Sequence, residues 1–327
     1  MTNYHCISWN VNGYDDLVHK QVLSLLQSEP AVVFLNETHQ DTSYLNNIFK
    51  SVTNYNLIVN SHNPSRWHGV MMLVHKKHTY ETIDTQMHIK ARKESKDPDP
   101  CKGRIIGIRL HIDNEIINTN NTNNTNNTNN TNNTNNTNNT NNTNNTNNTN
   151  NNTNNTNNTN NNTNNNTNNT KHLNIIASYT PNSGIDGKQE KYEYRTQLWD
   201  TAFYNLLDKY KDEKTLIMGD LNAACHNIDV SHPDRMKKYA GFTPLEQQNF
   251  NTLFSLNYHD AWREKHPTTQ EYTWVGRNLN SGMRLDYTLV SNSLIDDVVD
   301  AEIMNEYKEV IVSHISDHLP ISINFII

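Results

Sequence analysis

The chain has 327 residues and a formal net charge of −7, and no stretch of it approaches the roughly 20 apolar residues that a membrane-spanning helix needs. The acidic balance argues against nucleic-acid binding through overall charge. The three scattered cysteines, Cys6, Cys101 and Cys225, form no C-x-x-C pair and argue against a disulfide framework or a zinc site.

The first apolar runs are HCISWNV (5–11) and AVVFLNE (31–37), short and rich in β-branched and aromatic residues. Between them DDLVHKQVLSLLQSE (15–29) carries Leu17, Val18, Val22, Leu25 and Leu26 at helical spacing, so the reading is strand, helix, strand. GVMMLVHK (69–76), RIIGIRLHI (104–112) and HLNIIASY (172–179) read as further strands, followed by a long amphipathic helix over 189–210. KTLIMGDLN (214–222) is another buried strand ending in polar residues. A helix is predicted after GFTPLEQQ (241–248), where Thr243 caps, Pro244 takes the first helical position and Glu246 completes a capping box. The last two predicted strands are RLDYTLVS (284–291) and HLPISINFI (318–326). Mixed hairpins and crossovers in this order imply two packed sheets with outer helices.

Positions 119–170 are almost wholly Asn and Thr, a tract with no apolar face to offset the entropy of ordering it. Subtracting those 52 residues leaves 275, about the upper size of one domain. The tract separates two strands that a short turn would otherwise join, so it reads as a disordered insertion in a hairpin loop of a single domain. The opening MTNYHCISWN lacks a basic segment followed by an apolar run, and the expectation is a soluble intracellular protein, nuclear or cytoplasmic, neither secreted nor anchored. KARKESK (90–96), CKGR (101–104) and RMKK (235–238) are local basic clusters, of a kind that is more often solvated surface than a binding site.

Polar residues collect where the apolar strands end. Asn10 and Asn12 follow the first, Glu37 the second, Tyr179 and Asn182 a middle one and Asp220 and Asn222 the next; Asp286 precedes the penultimate run, and Asp317 with His318 opens the last. Taken singly, each reads as a cap, a turn or a surface pair. Together they mark one rim of a sheet, because the ends of successive strands gather there. Neighbours on a strand leave on opposite faces, so His318 and Asp317 cannot simply pair with each other, and at least one must find a partner elsewhere in the fold.

SWNVNG, NET, SYTPNSG, GDLNAA, AGFTP, RLDYTLVS and SDHLPI resemble, in order and over nearly all of the chain outside the tract, the motif set of the endonuclease/exonuclease/phosphatase superfamily, most closely its exonuclease III-like apurinic/apyrimidinic endonucleases. The resemblance implies a four-layer α/β sandwich of the deoxyribonuclease I-like type, two mixed sheets flanked by helices. It also implies a divalent metal, magnesium with manganese as a substitute, and hydrolysis of DNA phosphodiesters 5′ to abasic sites, with 3′-exonuclease or 3′-phosphodiesterase activity at blocked ends. Double-stranded DNA is then the partner and a monomer the expected state.

Carried over on the matching residues, Glu37 is the principal metal ligand, with Asn10 and Asp317 nearby and Asp220, Asn222 and His318 within the wider ligand set. Asp220 and Asn222 position the water or the leaving oxygen, Tyr179 and Asn182 contact the phosphate, and Asp286 orients His318. Asn12 falls on the substrate side, and Trp274, Met283 and Leu285 line the pocket for the extruded sugar. The chain departs from the family at Asn36, where Gln is usual, at Ile185, where a DNA-contacting arginine aligns, and at Met283, where Trp is usual. AGFTPLEQQ (240–248) favours the repair branch. A retrotransposon-type DNA-nicking endonuclease or another phosphoesterase of the superfamily is the alternative, and a catalytically silent nucleic-acid-binding or assembly protein a third reading.

Overall fold

The computed structural model describes residues 2–61, 68–89, 99–112, 172–184, 189–277 and 280–327. The apolar runs form two six-stranded mixed sheets. The first has the order β13 (Val298–Ile303), β14 (Ile321–Ile326), β1 (Asn3–Asn10), β2 (Val32–Asn36), β4 (Val70–His75), β3 (Tyr55–Asn60). The second runs β5 (Tyr80–Thr82), β6 (Ile105–His111), β7 (His172–Ser178), β8 (Thr215–Asp220), β12 (Asp286–Ser291), β9 (Tyr258–Asp260). A short ribbon, β10 (Trp274–Val275) with β11 (Gly282–Met283), stands beside them.

Among the described residues only β1–β2 and β7–β8 pair in parallel, and each pair is joined by a helical crossover, as parallel neighbours require. The first crossover is α1 (Asp16–Leu25), started by the Asp15 carboxylate, which accepts from the amides of Leu17 and Val18. Val18, Val22 and Leu25 bury its apolar face, whereas Leu17, expected on that face, is 52% exposed. The second crossover, read as one helix over 189–210, is in fact α3 (Gln189–Glu193) and α4 (Asp200–Asp208) with a wider π turn over Tyr194–Trp199 between them. One apolar cluster holds Phe34, Met72 and Ile323 of the first sheet together with Ile175, Met218 and Val290 of the second. Phe203 and Leu207 of α4 (Asp200–Asp208) and Phe250 and Leu253 of α6 (Pro244–Ser255) pack against Ile176, Ile217 and Leu289 of the second sheet. Burying each such side chain contributes about 2 kcal/mol. The layers are therefore helix, sheet, sheet, helix, the four-layer sandwich.

The predicted capping box at the start of α6 is present: Thr243 Oγ1 accepts from the Glu246 amide, and the Glu246 carboxylate accepts from the Thr243 and Gly241 amides. β6 and β7 pair antiparallel up to His111 opposite His172. The Asn/Thr tract between them, the basic run 90–96 and Ile185 lie outside the described residues.

Sequence periodicity missed β3, β5, β9, β13 and the ribbon, as well as α2 (Thr42–Ile48), α7 (Ala261–Lys265) and α8 (Glu309–Val312). Most of these are very short. β3 and β13 are not: β3 is half-buried along most of its length and β13 alternates, so neither shows the dense apolar run that marks a central strand. The penultimate strand is thus β13, not 284–291, and the last begins at Ile321 rather than His318. Pro320 has no amide to donate to a ladder; before it, Asp317 lies in a bend and His318 in an isolated antiparallel bridge to Trp274.

Candidate active site

Strand register brings the polar ends together. Asn10 lies opposite Asn36 across β1–β2, which sets Glu37 one residue beyond, and Asp220 lies opposite Asp286 across β8–β12. Gly219 lets β8 reach that point: a Cβ there would fall 2.1 Å from the Ser178 carbonyl oxygen, and its φ is +131°. Asn12, Glu37 and Asn222 all hold positive φ, from 49° to 55°. Such left-handed conformations are sparse for side-chain-bearing residues and cluster where function fixes the backbone.

His318 is held from four sides. Trp9 Nε1 donates to its carbonyl at 2.9 Å, Ser316 Oγ accepts from its amide at 3.0 Å and donates to the Asn10 carbonyl at 2.7 Å, and the Leu319 amide donates to the Thr273 carbonyl at 2.8 Å. Its Nδ1 meets Asp286 Oδ2 at 2.7 Å. Asp317 faces elsewhere, accepting from Asn12 Nδ2 at 3.1 Å and from Trp274 Nε1 at 3.0 Å. The adjacent acid and base therefore do find separate partners. Thr273, whose hydroxyl accepts from the Asp286 amide at 3.1 Å, lay outside every motif, and Ser316 stood in SDHLPI with no role assigned, since nothing distinguishes a small buried hydroxyl in a sequence.

Asn10 is the hub. Its Nδ2 donates to Glu37 Oε1 and to Asp220 Oδ2, both at 2.9 Å, while its Oδ1 accepts the Asn12 amide at 3.0 Å. Asn222 is likewise spent on orientation, donating to Asp220 Oδ2 at 3.2 Å and to the Thr180 carbonyl at 2.9 Å and accepting from Asn182 at 3.0 Å. These two amides hold the carboxylates in place.

The protonation states differ sharply. Burial favours the neutral Glu37, but hydrogen bonds from His39, Asn10 and Tyr179 outweigh it and hold the carboxyl down at about 2. Burial and the neighbouring Asp286 charge push Asp220 up to about 8. Burial alone would lower His318, yet the charge of Asp286 and the hydrogen bond to it lift the imidazole to about 10, so it is a cation at neutral pH. Burial and the Glu37 charge keep Tyr179 a neutral phenol.

Glu37, Asp220, Asn222, Asp317 and His318 line one cavity of about 530 Å³, with Asn12, Asn182, Trp274, Met283 and Leu285 also on its wall. Met283 and Leu285 are nearly buried in a small apolar cluster with Phe242 and Met236, and Trp274 packs against them. All the sequence-predicted site residues thus reach this cavity or hydrogen-bond to its lining. Ligand atoms of Asp220, Asp286 and His318 lie within 4.8 Å of one another, but the imidazolium is already paired with Asp286. Glu37, Asp220 and Asp317 on the same cavity offer oxygen atoms and no thiolate, the chemistry that suits a hard divalent cation. No helix among the described residues is long and apolar enough to cross a membrane.

Comparisons agree with this geometry. The chain is 36% identical over 156 residues to a DNA-(apurinic or apyrimidinic site) endonuclease of Dictyostelium discoideum and 33% identical over 156 residues to the DNA repair nuclease APEX1 of Danio rerio. These matches cover 46% of this chain and 42% and 47% of the two relatives, so the chain spans about half the length of the curated relatives it matches. Among solved structures, AP endonuclease LMAP of Leishmania major superposes with a TM-score of 0.68 at 18% identity, covering 99% of this chain and 87% of that one. The AP endonuclease of Archaeoglobus fulgidus gives 0.65 at 20% identity, with 99% and 100% covered. At that identity the superpositions establish the fold alone. The family described as "Endonuclease/Exonuclease/phosphatase family" matches residues 7–318, and the chain belongs to it.

Proposed function

We propose that this protein is a metal-dependent phosphodiester hydrolase of DNA repair that incises double-stranded DNA on the 5′ side of abasic sites and trims blocked 3′ ends, with magnesium as the cofactor and manganese as a substitute. The observation that carries this reading is the cationic His318, clamped to Asp286 at 2.7 Å, on the same cavity as a carboxylate pair, Glu37 and Asp220, bridged by one amide. The names of the Dictyostelium and zebrafish relatives support the substrate class.

A phosphodiester is anionic, so attack on it needs charge neutralisation, an oriented water and a proton for the leaving oxygen. When bound at Glu37, a divalent cation would supply neutralisation of the phosphate charge. The protein supplies the rest. His318 Nε2, protonated, donates to a non-bridging phosphate oxygen, and Asp286 keeps it in that state. Tyr179 and Asn182 hold the phosphate from the other side. Asp220, whose raised proton affinity suits a general base near neutral pH, takes a proton from the attacking water as the P–O3′ bond breaks, and the departing O3′ oxyanion takes a proton from solvent water and leaves as a 3′ hydroxyl. The product opposite it is a 5′-deoxyribose phosphate. The proposed working state is a monomer, with the whole site within one chain.

The test is nicking of a duplex carrying one tetrahydrofuran abasic analogue beside an otherwise identical intact duplex. Cleavage of the first, at least a hundredfold faster, directly 5′ to the analogue and with a 3′ hydroxyl left behind, is expected. Equal nicking of both duplexes would assign the chain to an unspecific or retrotransposon-type endonuclease instead.

A further inference from the structure

The basic run RMKK (235–238) has no part in the chemistry above, yet it borders the cavity. Residues 233–236 form the short helix α5 (Pro233–Met236), and the chain then turns through Tyr239 to Gly241. Met236 and Phe242, on either side of Tyr239, are both buried in the apolar cluster that holds Met283 and Leu285. The Gly241 carbonyl accepts the Ala224 amide at 2.7 Å, and its own amide donates to the buried Glu246 carboxylate at 3.0 Å. The segment is thus fixed at both ends.

Two side chains on it line the cavity with no hydrogen bond or ion pair among the described residues. Tyr239 is 47% exposed, and of the large exposed apolar side chains among the described residues it alone lines this cavity. Among the described residues Arg235 is the one lysine or arginine on the cavity wall, and its guanidinium makes no hydrogen bond or ion pair. An unpaired arginine on a wall otherwise lined by Glu37, Asp220 and Asp317 is placed for a polyanion, and a ring held out on a rigid turn is placed for a flat apolar face.

We propose that Arg235 and Tyr239 form a clamp in which the guanidinium binds a DNA phosphate flanking the one cleaved, while the tyrosine ring stacks on a base face that a missing base leaves uncovered. The proposal rests on the abasic-site reading above and adds residues that set recognition rather than chemistry. Intact duplex offers no free base face next to the site, so the ring discriminates in favour of the lesion. Arg235 contributes affinity whatever the sequence.

The experiment uses a duplex with 2-aminopurine beside a tetrahydrofuran site, titrated with the full chain in calcium so that binding is read without turnover, together with steady-state nicking in magnesium. For Tyr239→Ala, Kd should rise about 5- to 150-fold, the protein-induced change in 2-aminopurine fluorescence should disappear, and the loss in nicking should fall on KM more than on kcat. Tyr239→Phe, which keeps the ring, should retain the fluorescence change. Arg235→Gln should reduce the slope of log Kd against log salt by about 0.9. A parent that nicks the abasic duplex, combined with variants that keep its fluorescence change and its salt slope, overturns the clamp. A parent that neither binds nor nicks the abasic duplex overturns the abasic-site reading and the clamp with it.

Discussion

Replacing His318 with alanine should lower kcat on an abasic duplex by about 10²- to 10⁴-fold, the range over which a positioned proton donor or acceptor contributes. Asp286→Ala should cost a similar amount, although Asp286 touches no substrate, because it holds the imidazole in its orientation and in its cationic form. The double variant should be little worse than either single one, since residues that act as a unit are not additive. Losses that multiply would mean that the two side chains act independently. Folding has to be measured alongside, because His318→Ala strands the buried Asp286 carboxylate, a defect that costs about 3–5 kcal/mol where a buried pair is broken. Removing both partners relieves that defect, so the double variant should melt above His318→Ala.

The same pair fixes a pH dependence. His318 is lifted from an ordinary value of 6.5 to about 10, so its cation stabilises the fold fully below pH 6.5 and that contribution is lost as pH rises toward 10. With Asp286→Asn the largest lifting charge is gone, and the alkaline limb of the pH–rate profile should move down by roughly one to three units. An unmoved limb would show that another group titrates there.

The second large effect belongs to Glu37. Its carboxyl is ionised far below neutral pH, and Glu37→Gln removes that charge while keeping nearly the same shape. Calorimetric binding of magnesium or manganese to the protein without DNA should weaken by at least tenfold, and half-maximal nicking should need correspondingly more cation. Because Asn10 Nδ2 donates to Glu37 Oε1 at 2.9 Å, the glutamine oxygen can keep that bond, and the melting temperature should change little. An unchanged magnesium titration would place the cation on Asp220 and Asp317 without Glu37.

Motif order made the site legible because the fold delivers strand ends to one rim. Asn10, Glu37, Asp220 and Asp286 sit at or next to the ends of central strands whose dense apolar runs are easy to read, and register then sets Asp220 opposite Asp286. The capping box at Thr243 was equally readable, since all three of its signals lie within four residues. What remained hidden depends on contacts distant in sequence. Ser316 reaches the carbonyl of Asn10 across 306 positions, and the ribbon that bridges to His318 is two residues on each strand. The orienting hydrogen bonds of Asn10 and Asn222 were also out of reach, because a sequence does not show which groups an asparagine amide meets. Arg235, in the run RMKK, read as solvated surface, and Tyr239 carried no signal at all, although both line the cavity.

The measurement that tests the central claim most directly is incision of a natural abasic duplex in water enriched in oxygen-18, with mass analysis of both new ends. Hydrolysis at this site, with water attacking phosphorus and the P–O3′ bond breaking, predicts a single oxygen-18 in the 5′-phosphate product, an unlabelled 3′ hydroxyl on the other fragment, and no reaction once divalent cations are chelated. A chelator-resistant cleavage that leaves an unsaturated aldehyde at the 3′ end and no label in the phosphate would be elimination from the sugar, and would contradict the account.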